Sequence, residues 1–291
     1  MRTLKLTIAY EGTRYAGWQV QRVGDRHSRP TVQGTLERVF QRILQEPVKV
    51  IGSGRTDAGV HALAQVAHLK TASLVSCERL QRSANQLLPP DMAMTRLEEA
   101  PAMFHARFQA VSKWYRYRLA TTHPVLPFVR RYVTPIGSPV NLALMRREAA
   151  ALKGRHDFRA FARLPRQRAR RSLEASVERT TIRTLTVVRL RRFGAELWID
   201  LEGDGFLHTM ARSIVGTLLA IGRGQVSAGT IRRMLVSRDR MLAGPTAPAG
   251  GLTLMAVRYH GSRVPSPRVH PAMAPRALHA HALVDARRRL A

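Results

Sequence analysis

Residues 52–62 read GSGRTDAGVHA, which sets Asp57 among Gly52, Gly54 and Gly59 directly after the apolar run VKVI. Glycines let the backbone come close to a ligand, and a loop that follows a strand presents its side chains outward. A carboxylate held there can serve as a nucleophile or a base. An Asp near Gly in a turn is more often a local capping residue, and the loop alone does not separate the two roles. Arg55, two positions earlier, suits either holding a flipped-out backbone or a surface charge. His61 and His68 follow, but with no third ligand at metal spacing they read as structural. The stretch KWYRYRL places Lys113, Tyr115 and Tyr117 on one strand face and Trp114, Arg116 and Arg118 on the other. Rings interleaved with cations suit stacking on bases beside phosphates, although strand aromatics more often simply pack. FRAFARLPRQRARR, residues 158–171, carries six arginines and two phenylalanines and suits either an RNA-facing loop or a solvated face.

The elements that must position these groups alternate. Leu4, Leu6, Ile8 and Tyr10 recur at period two and predict a strand. Thr31 is a candidate N-cap for a helix with Val32, Leu36, Val39, Phe40 and Ile43 on one side. Further strands are expected at VKVI, AQVAHL, MAMTRLEE, VSKWYRYRLA, 181–191, 195–203 and GLTLMAVRYH. Helices are expected from Ser76 to Leu88 and from Asn141 to Lys153 with Gly154 as C-cap. A third is expected over FLHTMARSIVGTLLAIG, with Phe206, Met210, Ile214 and Leu218 on an apolar stripe. Beyond Gly261, four prolines, six arginines and one acid predict a flexible basic tail over 262–291.

With 48 Lys plus Arg against 19 Asp plus Glu, the net charge is +29, the balance of a chain that neutralises phosphates. The 43 arginines against 5 lysines, with abundant alanine, fit a bias of base composition, which would explain Arg over Lys and not basic over acidic. A hydrophobic share of 45% fits a folded chain. The longest apolar run, SIVGTLLAIG, is too short for a membrane helix, and the start has no long apolar leader, so a cytoplasmic protein with no membrane partner is expected. Cys77 alone excludes an intramolecular disulfide.

Six blocks in order carry a resemblance: AYEGTRYAGWQVQ, GSGRTDAGVHALAQVAHL, FHARFQAVSKWYRYRL, GRHDFRAFA, GFLHTMARSIVGTLL and TAPAGGLTLMAV. Over about residues 2–260 the chain resembles the tRNA pseudouridine synthases of the TruA family, which act on positions 38, 39 and 40 of the anticodon stem-loop. The resemblance implies that Asp57 is the catalytic aspartate, acting as nucleophile or base, and that Arg55 holds the opened RNA. It makes Tyr115 the stacking tyrosine, Arg212 the basic partner of the aspartate, and Leu252 an apolar wall of the pocket. It further implies no cofactor and no metal, tRNA as partner, and a homodimer. The implied fold is α+β: two α/β domains, 1–110 and 111–261, around a mixed, largely antiparallel sheet with a cleft between them. RVGDRHSRP, between Gln21 and Thr31, and the tail after Gly261 match nothing in the family pattern. Two rivals remain in view. A non-catalytic RNA-binding protein would need only the charge, and a Mg²⁺-dependent nuclease would need more carboxylates than the one near Asp57.

Overall fold

The computed structural model describes residues 1–20, 29–163 and 180–261. The expected tail, the RVGDRHSRP stretch up to Ser28, and positions 164–171 of the arginine-rich stretch lie outside the described residues.

In chain order the elements are β1 (Arg2–Tyr10), α1 (Val32–Leu44), β2 (Ile51–Gly52), β3 (His61–Thr71), α2 (Cys77–Leu87), β4 (Met92–Ala100), β5 (Ala110–Ala120), β6 (Thr134–Pro135), α3 (Leu142–Ala150), β7 (Gly154–Asp157), β8 (Ile182–Phe193), β9 (Glu196–Gly203), α4 (Met210–Gly222), α5 (Thr230–Ser237) and β10 (Leu252–Tyr259). The strands form one mixed sheet in the order β4-β1-β3-β10-β5-β9-β8-β7, with β2 added on β3 and β6 on β5. All pairings are antiparallel except β10 with β3 and β6 with β5. The fold is therefore α+β on a largely antiparallel sheet. No helix among the described residues is long and apolar enough to cross a membrane.

The local chemistry explains most element ends. Thr31 Oγ1 accepts from the Gly34 amide at 3.2 Å and Ser76 Oγ from the Arg79 amide at 3.3 Å, so α1 and α2 start at hydroxyl caps. The period-two residues Leu4, Leu6 and Ile8 of β1 are fully buried. In α4 every residue is buried except Arg212, so the helix is a core rod with one cation on its surface. β10 and β3 meet at only two registered pairs, Thr253 with His61 and Leu254 with Ala62. This short parallel seam joins the strands of the first half of the chain to those of the second.

Three expectations are corrected. Of VKVI only Ile51 joins the sheet, with Gly52, and Val48 and Val50 instead pack into the core. The third helix stops at Ala150, because Gly154 at φ +109 opens β7 rather than capping α3. Phe206 stands outside α4, since Thr209 at φ 63 ends the helical backbone before it.

Candidate active site

The Asp57 loop is fixed by its backbone. Ser53 N donates to Val66 O at 2.7 Å, Trp18 N to Thr56 O at 3.1 Å, and Val60 N to Asp57 O at 3.1 Å. Side chains add Ser53 Oγ to Gln65 Oε1 at 2.7 Å, Gln65 Nε2 to Gly54 O at 3.1 Å, and a Tyr10–Thr56 hydroxyl pair at 2.9 Å. Gly17, at φ +99, lets the stretch after β1 press on Thr56, where a Cβ would lie 2.7 Å from its carbonyl oxygen.

None of these bonds uses the Asp57 carboxylate. Its Oδ2 accepts from Arg212 Nη1 at 2.9 Å, across 155 residues of sequence, and both side chains are 19% exposed. Among the described residues it makes no hydrogen bond to its own turn, which removes the capping role and leaves a preorganised, partly open carboxylate. The guanidinium is divided rather than forked. Its Nε donates to Ala247 O at 2.8 Å, while Ala247 N returns a bond to Arg212 O at 3.1 Å, so Arg212 joins α4, the segment before β10 and the Asp57 loop.

Tyr115 of β5 is buried and meets Phe206 edge-on, with ring centroids 4.8 Å apart. Burial, followed by the charges of Tyr10 and Asp57, raises its hydroxyl above the usual tyrosine range, which places the ring in the field of the carboxylate. Leu252 is buried as the first residue of β10, opposite Tyr117 of β5. Arg55 turns outward, its Nε on Gln19 Oε1 at 3.0 Å. The structure thus brings Asp57, Arg212 and Tyr115 together, sets Leu252 at the end of the seam, and leaves Arg55 on the rim. It adds two residues to them. Phe206 packs on Tyr115, and His208 brings Nε2 to 3.6 Å from Asp57 Oδ1 with a 58% exposed side chain. The four-residue spacing of His208 and Arg212 was the available signal, hidden because His208 precedes the helix.

Neighbouring cations divide into two kinds. Lys113 lies against the loop, where a Cβ on Gly54 would be 3.0 Å from its ammonium. Burial, with help from Arg107 and Arg183, lowers it to about 8. Arg116 and Arg118 are spent inside the protein: Arg116 pairs with Asp200 at 2.7 Å and stacks on Trp198, and Arg118 pairs with Glu196 at 2.6 Å. That strand face therefore packs and offers no phosphate contact. Phe158 and Phe161 are likewise core residues rather than RNA-facing rings. His61 Nδ1 accepts from Gly12 N and His68 Nδ1 from Ala106 N, so both are structural. Among the described residues no three His, Cys, Asp or Glu side chains converge as metal ligands.

Comparison with known proteins assigns the family. The profile described as tRNA pseudouridine synthase matches residues 6–109 and 149–260. Relatives named tRNA pseudouridine synthase A include one from Exiguobacterium sp., 39% identical over 259 residues, which cover 89% of this chain and 98% of the relative. One from Moorella thermoacetica is 40% identical over 89% of this chain and all of its own length. The chain belongs to the tRNA pseudouridine synthase A family. It is therefore an enzyme of an isomerase family. A further member, from Chloroflexus aurantiacus, is 40% identical over 266 residues and 89% of both chains. Of the family-matched segments, the first contains Arg55 and Asp57 and the second Arg212 and Leu252, while Tyr115 lies between them.

Proposed function

We propose that this enzyme converts uridine to pseudouridine at positions 38, 39 and 40 in the anticodon arm of tRNA, with Asp57 as the reacting group and without a cofactor. The observation that carries the proposal is the Asp57 carboxylate, 19% exposed, with one oxygen fixed by Arg212 at 2.9 Å and the other making no hydrogen bond among the described residues. The reaction breaks the bond from ribose C1′ to uracil N1 and joins C1′ to C5. The C5 hydrogen leaves as a proton and N1 gains one, so nothing is oxidised or added. A carboxylate can drive this by attacking as a nucleophile or by removing a proton at the sugar, and both routes require it ionised and oriented. The Arg212 hydrogen bond supplies the orientation.

A target base must leave its stack at a cost of a few kcal/mol. In this proposal Tyr115, backed by Phe206, forms the floor for the extruded base, Leu252 closes its apolar side, and Arg55 on the rim takes the space it vacates. The +29 charge supports a phosphate-rich partner. The two halves of the chain, 1–110 and 111–261, act as α/β domains on either side of the site. The enzyme works in the cytoplasm as a homodimer that engages the anticodon arm.

The test is conversion of unmodified tRNA with chelator present, followed by mapping of pseudouridine and sizing by gel filtration. Pseudouridine at positions 38–40 supports the proposal. Binding without conversion returns the RNA-binding rival, and activity abolished by chelator returns the metal-dependent one.

A further inference from the structure

The carboxylate of Asp57 has a second neighbour. Arg212 holds Oδ2, and His208 Nε2, on a side chain 58% exposed, stands 3.6 Å from Oδ1. A substrate entering from solvent meets Oδ1, because Oδ2 is occupied by the guanidinium. His208 therefore sits beside the oxygen that must react.

The local backbone aims the ring there. Thr209 has φ 63, a left-handed conformation that strains a β-branched residue, and its buried hydroxyl has no hydrogen-bond partner among the described residues. Two bonds brace the turn: Met210 N donates to Leu207 O at 3.1 Å, and Arg163 N donates to His208 O at 3.1 Å. The peptide of His208 is thus pinned from both sides while its ring projects toward Asp57. The other groups facing the carboxylate are Arg212 from α4 and Tyr115 from β5, with Tyr10 of β1 acting on Tyr115 behind it. Arg55, from the loop itself, is turned to Gln19.

Resting on the proposed reaction, we infer that His208 is a positioning residue whose charge decides whether Oδ1 of Asp57 is available to the substrate. An imidazolium at this distance pairs with Oδ1, so both oxygens are then engaged by cations and the carboxylate is withdrawn from the ribose. A neutral imidazole releases Oδ1 while Arg212 keeps the carboxylate oriented. Among side chains histidine is the one whose ordinary chemistry lets pH set its charge near neutrality, so pH is the variable that tests the switch. An arginine or lysine at this position would hold Oδ1 permanently.

The experiment is single-turnover conversion with saturating tRNA from pH 5.5 to 8.5, comparing the intact chain with His208→Gln and His208→Lys. Wild-type conversion at pH 8 is the entry condition. If it fails, the proposed function fails and the role of His208 is not reached. The expected wild-type rate is several-fold higher at pH 8 than at pH 5.5, where a proton on the imidazole would engage Oδ1. The readout is the ratio of rates at pH 8 and pH 5.5, which is insensitive to a general loss of rate. It falls to within about twofold of unity in His208→Gln. His208→Lys stays slow at both pH values, at least tenfold below wild type at pH 8. A pH profile in His208→Gln identical to wild type overturns the inference. So does an effect confined to tRNA affinity, which would make His208 a phosphate ligand, or a fast His208→Lys enzyme.

Discussion

Replacing Arg212 by methionine tests how the site is held. Methionine keeps an aliphatic stem against the core but removes two hydrogen bonds, Nη1 to Asp57 at 2.9 Å and Nε to Ala247 O at 2.8 Å. A hydrogen bond from a charged group contributes about 1.5–3 kcal/mol, and partial exposure of both partners puts each near the lower end. The stability loss is then about 3 kcal/mol, a fall of roughly 5 °C in Tm for a chain of this size. The effect on rate is separate. An aspartate no longer fixed by its cation loses about 3–4 kcal/mol of transition-state stabilisation, a factor of about 10²–10³. Arg212→Lys keeps the charge but reaches only one of the two acceptors, so an intermediate loss near tenfold is expected. Single-turnover conversion at saturating tRNA, below the Tm of each variant, separates the two effects. If Arg212→Met converts bound tRNA within threefold of the wild-type rate, Arg212 is a phosphate contact and its pairing with Asp57 is irrelevant to catalysis.

Tyr115 and Tyr117 share a strand face but should fail differently. Tyr115→Ala is expected to slow saturated conversion at least 100-fold. Tyr117→Ala, whose hydroxyl bonds Thr134 and the Pro248 carbonyl, should lower Tm more than it slows the bound substrate. Arg116→Met leaves Asp200 buried with only the half-exposed Arg191 as cationic partner, and should cost about 2–4 kcal/mol in urea denaturation. The salt dependence of its tRNA binding should not change, because that guanidinium is already paired within the fold. His68 is held below the usual histidine value, at about 4, by burial and then by His105 and Lys70. A histidine with a lowered folded-state pKa is protonated first in the unfolded chain, so stability should be lost as pH falls from about 6.5 toward 4. His68→Gln, which can still accept from Ala106 N, should flatten the Tm profile over that window.

Where a pattern is local, the sequence carried it: alternating Leu4, Leu6 and Ile8 marked β1, and Thr31 and Ser76 marked the starts of α1 and α2. Elements without such a pattern went unseen. β7 is four residues defined by pairing with β8, and α5 is a short arginine-bearing helix bounded by left-handed residues Gly229 and Arg238. The strand cations stay undecided in sequence for one cause. Arg116 and Arg118 look available in sequence because their carboxylates lie 84 and 78 residues away, where only the register of β5 with β9 reveals them. In the site, the glycine loop showed that Asp57 is presented but not whether its carboxylate is free. That answer came from Arg212, whose assignment rested on family resemblance, and from His208, which lies on an irregular turn that no periodicity describes.

The central claim is that the Asp57 carboxylate performs the isomerisation. Asp57→Asn preserves shape and one acceptor oxygen and removes the charge that Arg212 holds. Pseudouridine formed in pre-bound tRNA under single-turnover conditions, quantified with affinity measured in parallel, is the direct measurement. Removing one negative charge from a chain of net +29 should leave binding within a few-fold of wild type while conversion becomes undetectable. Conversion by Asp57→Asn at more than about one percent of the wild-type rate, with the protein shown free of deamidation, would contradict the assignment of Asp57 as the reacting group.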